Sequence, residues 1–257
     1  MSEIGFGIDI GGSGIKGAPV DLSTGELLAE RVRISTPQPS TPVAVAETVA
    51  QLVNQFGADA ATLPIGITMP CVVSNGITRS AANIDHEWIN HPAAETFAAA
   101  LRKEVTLVND ADAAGIAETY YGAAQGQLGL VILTTLGTGI GSAMIYDGVL
   151  IPNSELGHLE IGGRQAEKRA AASVRTKKNL SWKAYTRRLQ RYYSTLEFLF
   201  SPDLFVVGGG ISRDSEKYLP YLELNTPIIP AQLRNQAGIV GAAWYAFHLQ
   251  GSARTQS

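Results

Sequence analysis

The stretch Val105-Thr106-Leu107-Val108-Asn109-Asp110-Ala111-Asp112 decides how the chain is read. Val105 to Val108 is short, apolar and rich in β-branched residues, as a buried strand is. Ala113 to Tyr121 is Ala-rich and reads as a helix. Asp110 therefore stands where a strand ends and a helix begins, the place where α/β folds present reactive groups. Asp also caps helices at such points, so Asp110 and Asp112 carry two readings, cap and reactive carboxylate. What lies on either side bears on the choice.

Upstream, Phe6 to Ile10 reads as a strand, Gly11-Gly12-Ser13-Gly14 as a turn, and Ile15 to Val20 as a second strand. Leu27 to Ile34 alternates apolar and polar like a third. Gly12-x-Gly14-x-x-Gly17 formally matches the dinucleotide fingerprint, but that motif needs a helix directly after its glycines, and a strand follows here. The P-loop pattern fails too, because no Gly-Lys-Ser/Thr follows at its spacing. What survives is a glycine hairpin whose backbone N–H groups can face an anion, with Asp9 and Lys16 beside it. An ordinary tight hairpin accounts for a glycine or two, but less readily for Asp9 inside an apolar strand.

Pro42 to Phe56 reads as an amphipathic helix, Pro64 to Pro70 as a strand, and Ser74-Asn75-Gly76 as a hairpin turn. Asn83 to Trp88 is a polar loop with an indole, which suits a sugar and a solvated loop equally well. Ala93 to Arg102 is a helix leading into the strand before Asp110.

Downstream, Leu128 to Thr135 and Ser142 to Tyr146 are strands flanking the turn Leu136-Gly137-Thr138-Gly139-Ile140-Gly141. This repeats the N-terminal design, with Gly137 lying 126 residues beyond Gly11. A duplicated half implies two similar α/β domains facing each other across a cleft, with both glycine turns pointing into it. The expected domains are residues 1–109 and 110–257, with the last helix, about 238–249, an element that could pack back on the first domain. Glu155-Leu156-Gly157-His158 follows, then Glu160 and Glu167. A helical zinc-protease pair needs two histidines four apart, and only one is here. Ser181 to Phe200 reads as a long helix carrying Trp182, Tyr185, Tyr192, Tyr193, Phe198 and Phe200. Leu204 to Val207 is a strand that runs into Gly208-Gly209-Gly210.

Composition bounds the function classes. Of 257 residues, 45% are hydrophobic and 17% charged, enough for a sizeable core. One cysteine, Cys71, rules out an internal disulfide framework and a thiolate metal cluster and suits a reducing cytosol. No uninterrupted apolar run reaches membrane-spanning length, and Met1-Ser2-Glu3-Ile4 has no basic leader, so a cytoplasmic protein is expected. The net charge of −3 is unevenly spread. Arg164 to Arg191 holds ten basic residues and one acid, Glu167, a net of +9; the remaining 10 basic and 22 acidic residues sum to −12.

Taken in order, Phe6–Lys16, Asn109-Asp110, Leu136–Gly139 and Gly208–Gly210 resemble the phosphate-1, connect, phosphate-2 and adenosine segments of the actin-like (hexokinase/Hsp70/actin) ATPase fold. Glu155-Leu156-Gly157-His158 resembles the signature of the ROK family of sugar kinases. The resemblance covers nearly the whole chain. It implies two RNase-H-like domains and a hexose 6-kinase that uses Mg2+. Asp110 would be the general base toward the sugar 6-hydroxyl, a role that asks only for a carboxylate in hydrogen-bond reach. Asn83, Asn109, Glu155, His158 and Glu167 would hold hydroxyls. Asp9 would orient magnesium-bound phosphate. Gly11, Gly12, Ser13, Gly14 and Lys16, with Gly137, Thr138, Gly139, Gly209 and Gly210, would cradle phosphate or nucleotide.

Most ROK kinases carry a Cys-rich zinc motif soon after that signature histidine. Ile161 to Val174 has no cysteine, so no zinc is expected, and Glu160 competes with Glu167 for the sugar. The missing motif, the short length and the basic segment resemble the polyphosphate glucokinases, a zinc-less branch. Polyphosphate is a dense polyanion, and a row of cations binds such a chain with a salt-dependent affinity. Arg164, Lys168, Arg169, Lys183, Arg187, Arg188 and Arg191 would line a channel for it; a solvated basic face is the alternative. Nucleic acid is a third candidate for that row, but no nucleic-acid partner is expected; no helix-turn-helix region precedes Phe6, which argues against the regulator members of the same family. The expected partners are glucose or mannose, which the sequence does not separate, with polyphosphate and ATP as donors. Members of the family often form dimers, so a homodimer is carried as an expectation. An ATP-only amino-sugar kinase and a non-catalytic sugar sensor are the rival readings.

Overall fold

The computed structural model describes residues 3–81 and 84–254, with side chains as far as Leu249. It divides into two compact units, Met1–Ala117 with Gln236–Ser257, and Glu118–Asn235. The division falls within the helix that starts at Asp110.

In the first unit, β1 (Ile4–Gly11) and β2 (Gly14–Asp21) form a hairpin in which Gly11 pairs with Gly14, so Gly12 and Ser13 make a two-residue turn. The run Leu27–Ile34 is not one strand. β3 (Glu26–Leu27) and β4 (Val32–Ile34) each pair with β2, and the chain breaks between them. Leu28, Glu30 and Arg31 are exposed there, so no burial holds a continuous edge strand. α1 (Pro42–Asn54) starts with Thr41 Oγ1 accepting the Ala44 N–H and Pro at its first position, and buries Val45, Val49, Leu52 and Val53. After α2 (Ala58–Thr62), β5 (Ile65–Met69) runs parallel to β1 with every residue buried. The two-residue strands β6 (Val73–Ser74) and β7 (Ile77–Thr78) turn about Asn75-Gly76, both at positive φ as the dipeptide predicts. α3 (Ala93–Leu101), β8 (Val105–Asn109), parallel to β5, and α4 (Asp110–Tyr121) follow. Phe6, Ile8, Leu52, Ile67, Trp88 and Phe97 centre this core.

The second unit repeats the pattern. β9 (Leu130–Leu136), β10 (Ile140–Tyr146) and β11 (Val149–Ile151) form an antiparallel meander. α5 (Glu167–Ala170), α6 (Ala172–Lys177) and α7 (Trp182–Phe200) lead to β12 (Leu204–Gly208) and β13 (Ile228–Pro230), which extend the sheet in parallel from β9. Both sheets therefore have an antiparallel hairpin whose first strand carries two parallel strands on its other side. α7 begins on a Ser181 cap and turns Tyr185, Leu189, Tyr192, Tyr193 and Leu196 into the core.

α8 (Ala237–Arg254) returns to the first unit and lies on its sheet. A Cβ at Gly7 would stand 1.8 Å from the Ile239 carbonyl oxygen, and one at Gly66 would stand 1.8 Å from that of Ala242. These glycines let helix backbone rest directly on β1 and β5. Among the described residues no helix is long and apolar enough to cross a membrane.

Candidate active site

The first hairpin is pinned from several directions. Asp9 and Lys16 are cross-strand partners, with Nζ 3.2 Å from Oδ2. Thr68, the partner of Asp9 on β5, donates its hydroxyl to Asp9 Oδ1 at 3.1 Å and accepts the Ile10 N–H at 3.2 Å. Gly238 in the first turn of α8 leaves no slack, since a Cβ there would lie 3.0 Å from Asp9 Oδ1. A helix N-terminus favours that negative charge. Thr36 Oγ1 donates to the Gly11 carbonyl, and Arg33 Nη2 donates to the Ser13 carbonyl at 2.9 Å. Sequence reading had missed Thr36, Thr68 and Arg33. Only Thr68 carried a signal, as a polar residue within an apolar strand.

At the head of α4 the cap is Asn109. Its Oδ1 accepts the N–H groups of Ala111 at 2.8 Å and Asp112 at 3.1 Å, and its Nδ2 donates to the buried Cys71 carbonyl at 3.1 Å. Asn109 is buried, Asp112 is buried, and Asp110 is exposed, with Oδ1 accepting the Ala111 N–H at 2.8 Å. The capping role considered for Asp110 and Asp112 thus belongs chiefly to their neighbour. Asn83 lies outside the described residues. The nearby indole is not a sugar platform: Trp88 is fully buried, donates Nε1–H to the Ser40 carbonyl at 2.8 Å and stacks on Phe97. Its apolar area outweighed the polarity of its loop.

In the second unit, the Gly137 N–H donates to the Gly139 carbonyl at 3.0 Å. Ser173 ties this turn down, its N–H donating to the Gly137 carbonyl at 3.0 Å and its hydroxyl to that of Thr138 at 2.7 Å. Gly209, at φ +82°, presses on β9, where a Cβ would come within 2.4 Å of the Leu136 carbonyl oxygen. Gly137 and Gly210 face open space. The second and third glycine segments are therefore adjacent.

Gly157 lets the turn Leu156–His158 sit against β10, because a Cβ there would meet the Ile140 carbonyl oxygen at 2.1 Å. Ser142 and Ser154 donate to each other's carbonyls, and the Leu156 N–H donates to Ser142 Oγ at 2.9 Å, fixing the residue beside Glu155. Glu155 Oε2 lies 3.7 Å from His158 Nδ1. Burial pushes the Glu155 carboxyl up; His158 offsets part of that, and the charge on Glu167 adds to it. Glu167 is only 15% exposed, pairs with Lys168 at 2.7 Å, and lies against Gly139, where a Cβ would be 2.5 Å from Glu167 Oε2. Glu155, His158 and Glu167 thus form one group beside the second glycine turn. Glu160 is exposed, its backbone bridged to Gln165.

Part of the basic segment lies at the Gly162-Gly163 turn. Arg169 Nη2 donates to the Gly162 carbonyl at 3.3 Å, Arg188 Nη1 donates to the Arg169 carbonyl at 3.1 Å, and a Cβ at Gly162 would stand 2.4 Å from Arg191 Nη2. Arg164 is exposed on the same loop. Lys183, Arg187 and Arg191 form one exposed stripe of α7 at four-residue spacing. Lys168 is turned to Glu167, and Arg175 lies over the Trp182 ring. Among the described residues no three His, Cys, Asp or Glu cluster in a way that could hold a metal ion.

The ROK family model matches residues 5–173. The polyphosphate glucokinase of Mycobacterium tuberculosis (strain CDC 1551 / Oshkosh) is 54% identical over 93% of this chain and 89% of its own. The crystal structure of an inorganic polyphosphate/ATP-glucomannokinase from Arthrobacter sp. strain KM is also 54% identical, with a TM-score of 0.91 over 96% of this chain and 99% of that one. A ROK family glucokinase from Streptomyces griseus, solved with glucose and AMPPNP, shares the fold at 23% identity, with a TM-score of 0.81 over 95% of this chain and 99% of that one. The two repeated sheets are those of the actin-like ATPase fold, and the chain belongs to the ROK family.

Proposed function

We propose that this chain transfers the terminal phosphoryl group of inorganic polyphosphate or ATP to the 6-hydroxyl of glucose. The observation that carries this reading is the exposed carboxylate of Asp110 at the head of a helix already capped by Asn109. A carboxylate so placed can accept the hydroxyl proton as the oxygen attacks the terminal phosphorus and the phosphoanhydride bond to the leaving phosphate breaks. Glu155, His158 and Glu167 offer acceptors and a donor for sugar hydroxyls, with Asn83 as a further ligand. A site that pairs each hydroxyl rejects sugars lacking one. Asn109 holds the helix head, and its amide carries a second N–H besides the one on the Cys71 carbonyl, which would serve a sugar hydroxyl. The glycine turns at 11–14, 137–139 and 209–210 cradle phosphate, with Lys16 beside the first.

A magnesium ion bound with the donor phosphates would supply charge neutralisation there. Asp9, aimed by Thr68 and Lys16, suits the single carboxylate such an ion asks of a protein. The cations around Gly162 and along α7 guide polyphosphate, and the reaction belongs in the cytoplasm. Mannose is the second acceptor to try, since the Arthrobacter relative is called a glucomannokinase. The test is a matrix of glucose, mannose and N-acetylmannosamine against polyphosphate and ATP, reading sugar 6-phosphate. Product from glucose with both donors is expected; no product with either donor overturns the reading.

A further inference from the structure

Asp9 on β1, Lys16 on β2 and Arg33 on β4 stand opposite one another in a single row across the first sheet. Directly paired residues share a face of the sheet. The charges in this row do not cancel. Lys16 is matched to Asp9, whereas Arg33 has no acidic partner among the described residues. Its guanidinium does not trail into solvent. Nη2 donates to the Ser13 carbonyl at 2.9 Å, and the group lies over Gly14, where a Cβ would stand 2.6 Å from Nε and 2.8 Å from Nη2. Gly14 is therefore the residue that makes room for it. A side chain as exposed as Arg33 is not held there by core packing.

We infer that Arg33 is a donor-binding residue, whose remaining N–H groups grip non-bridging oxygens of the terminal phosphates as these enter the first glycine hairpin. This rests on the phosphotransfer reading above and adds a residue to that site. A planar guanidinium matches two phosphate oxygens at once, and one already docked on a carbonyl loses less freedom on binding. Both donors end in the same phosphoanhydride, so Arg33 serves ATP and polyphosphate alike.

The test uses the full chain as Arg33→Gln and Arg33→Lys. Tripolyphosphate binding is read by calorimetry, and KM is read for ATP, polyphosphate and glucose. Arg33→Gln is expected to weaken tripolyphosphate about tenfold and to raise both donor KM values together, with the glucose KM unmoved. Arg33→Lys keeps the charge without the fork and is expected to fall between, which retains a readout if the Gln variant folds poorly. Wild-type affinity for tripolyphosphate in either variant, or a loss confined to polyphosphate, overturns the assignment. A wild-type chain that binds tripolyphosphate through Arg33 yet makes no sugar phosphate would sink the kinase reading and leave this one standing.

Discussion

Asn109 caps the helix that Asp110 begins, its Oδ1 taking the Ala111 N–H at 2.8 Å. This separates two jobs that adjacent polar residues could have shared. Asn109→Ala should lose the cap and the bond to the Cys71 carbonyl, at a cost of about 2 kcal/mol. Asp110→Asn should leave stability within about 0.5 kcal/mol, as for other exposed positions, while kcat falls roughly 100-fold or more. Thermal melts beside steady-state kinetics would check this. An Asp110→Asn enzyme turning over normally would remove the base assignment.

Glu155 gives a pH prediction. Burial raises its carboxyl above the ordinary 4.5, with His158 and Glu167 pulling in opposite directions. The folded chain therefore holds this proton more tightly than the unfolded chain does. The resulting stabilisation is fully present below pH 4.5 and is lost as pH rises through the raised value. At neutral pH an ionised Glu155 is a burden on the fold. Glu155→Gln should melt higher than the parent at pH 7, the gap closing toward pH 4, while its KM for glucose rises. A gap of the same size at every pH would contradict the assignment.

How much of this was legible in the sequence depends on where the information lies. The strand-to-helix junction at Asp110, the glycine turns and the duplicated hairpin are local patterns, and each stands where the chain order put it. The Asn75-Gly76 turn was equally readable, because positive φ has few residue solutions. Trp88 misled, since a loop's polarity says nothing about an indole folded back onto Phe97. Arg33 was invisible, because its position depends on β4 pairing with β2, a non-local register. Ser142 and Ser154 were hidden for the same reason: their mutual bonds join residues twelve apart across a bend. That Glu167 lies beside Gly139 was hidden too, because residues 28 apart in the chain meet there only through the fold.

The stripe Lys183, Arg187 and Arg191 yields a donor-specific prediction. Changing all three to Gln should raise the KM for long polyphosphate about tenfold and leave that for ATP within about twofold. The slope of log KM for polyphosphate against log salt should also flatten, by roughly 0.7 to 0.9 for each phosphate that the stripe no longer neutralises. Arg188 is better left intact, because its bond to the Arg169 carbonyl ties α7 to α5. Equal losses for both donors would dismiss the channel.

Glu118 carries the last prediction, one of stability. It is 1% exposed, and its carboxylate accepts three backbone N–H groups: Ala123 at 2.7 Å, Gln232 at 3.0 Å and Leu233 at 2.7 Å. It thereby ties the end of α4 to the segment before α8. A carboxylate can accept at both oxygens, whereas a glutamine amide must turn an N–H toward at least one of these donors. Glu118→Gln should therefore destabilise the fold by about 3 kcal/mol, lowering Tm by roughly 6–12 °C. Glu118→Asp, too short to reach all three donors, should fall in the same range. A melting temperature within a degree of the parent for both variants would show that solvent satisfies those N–H groups and that the staple contributes nothing.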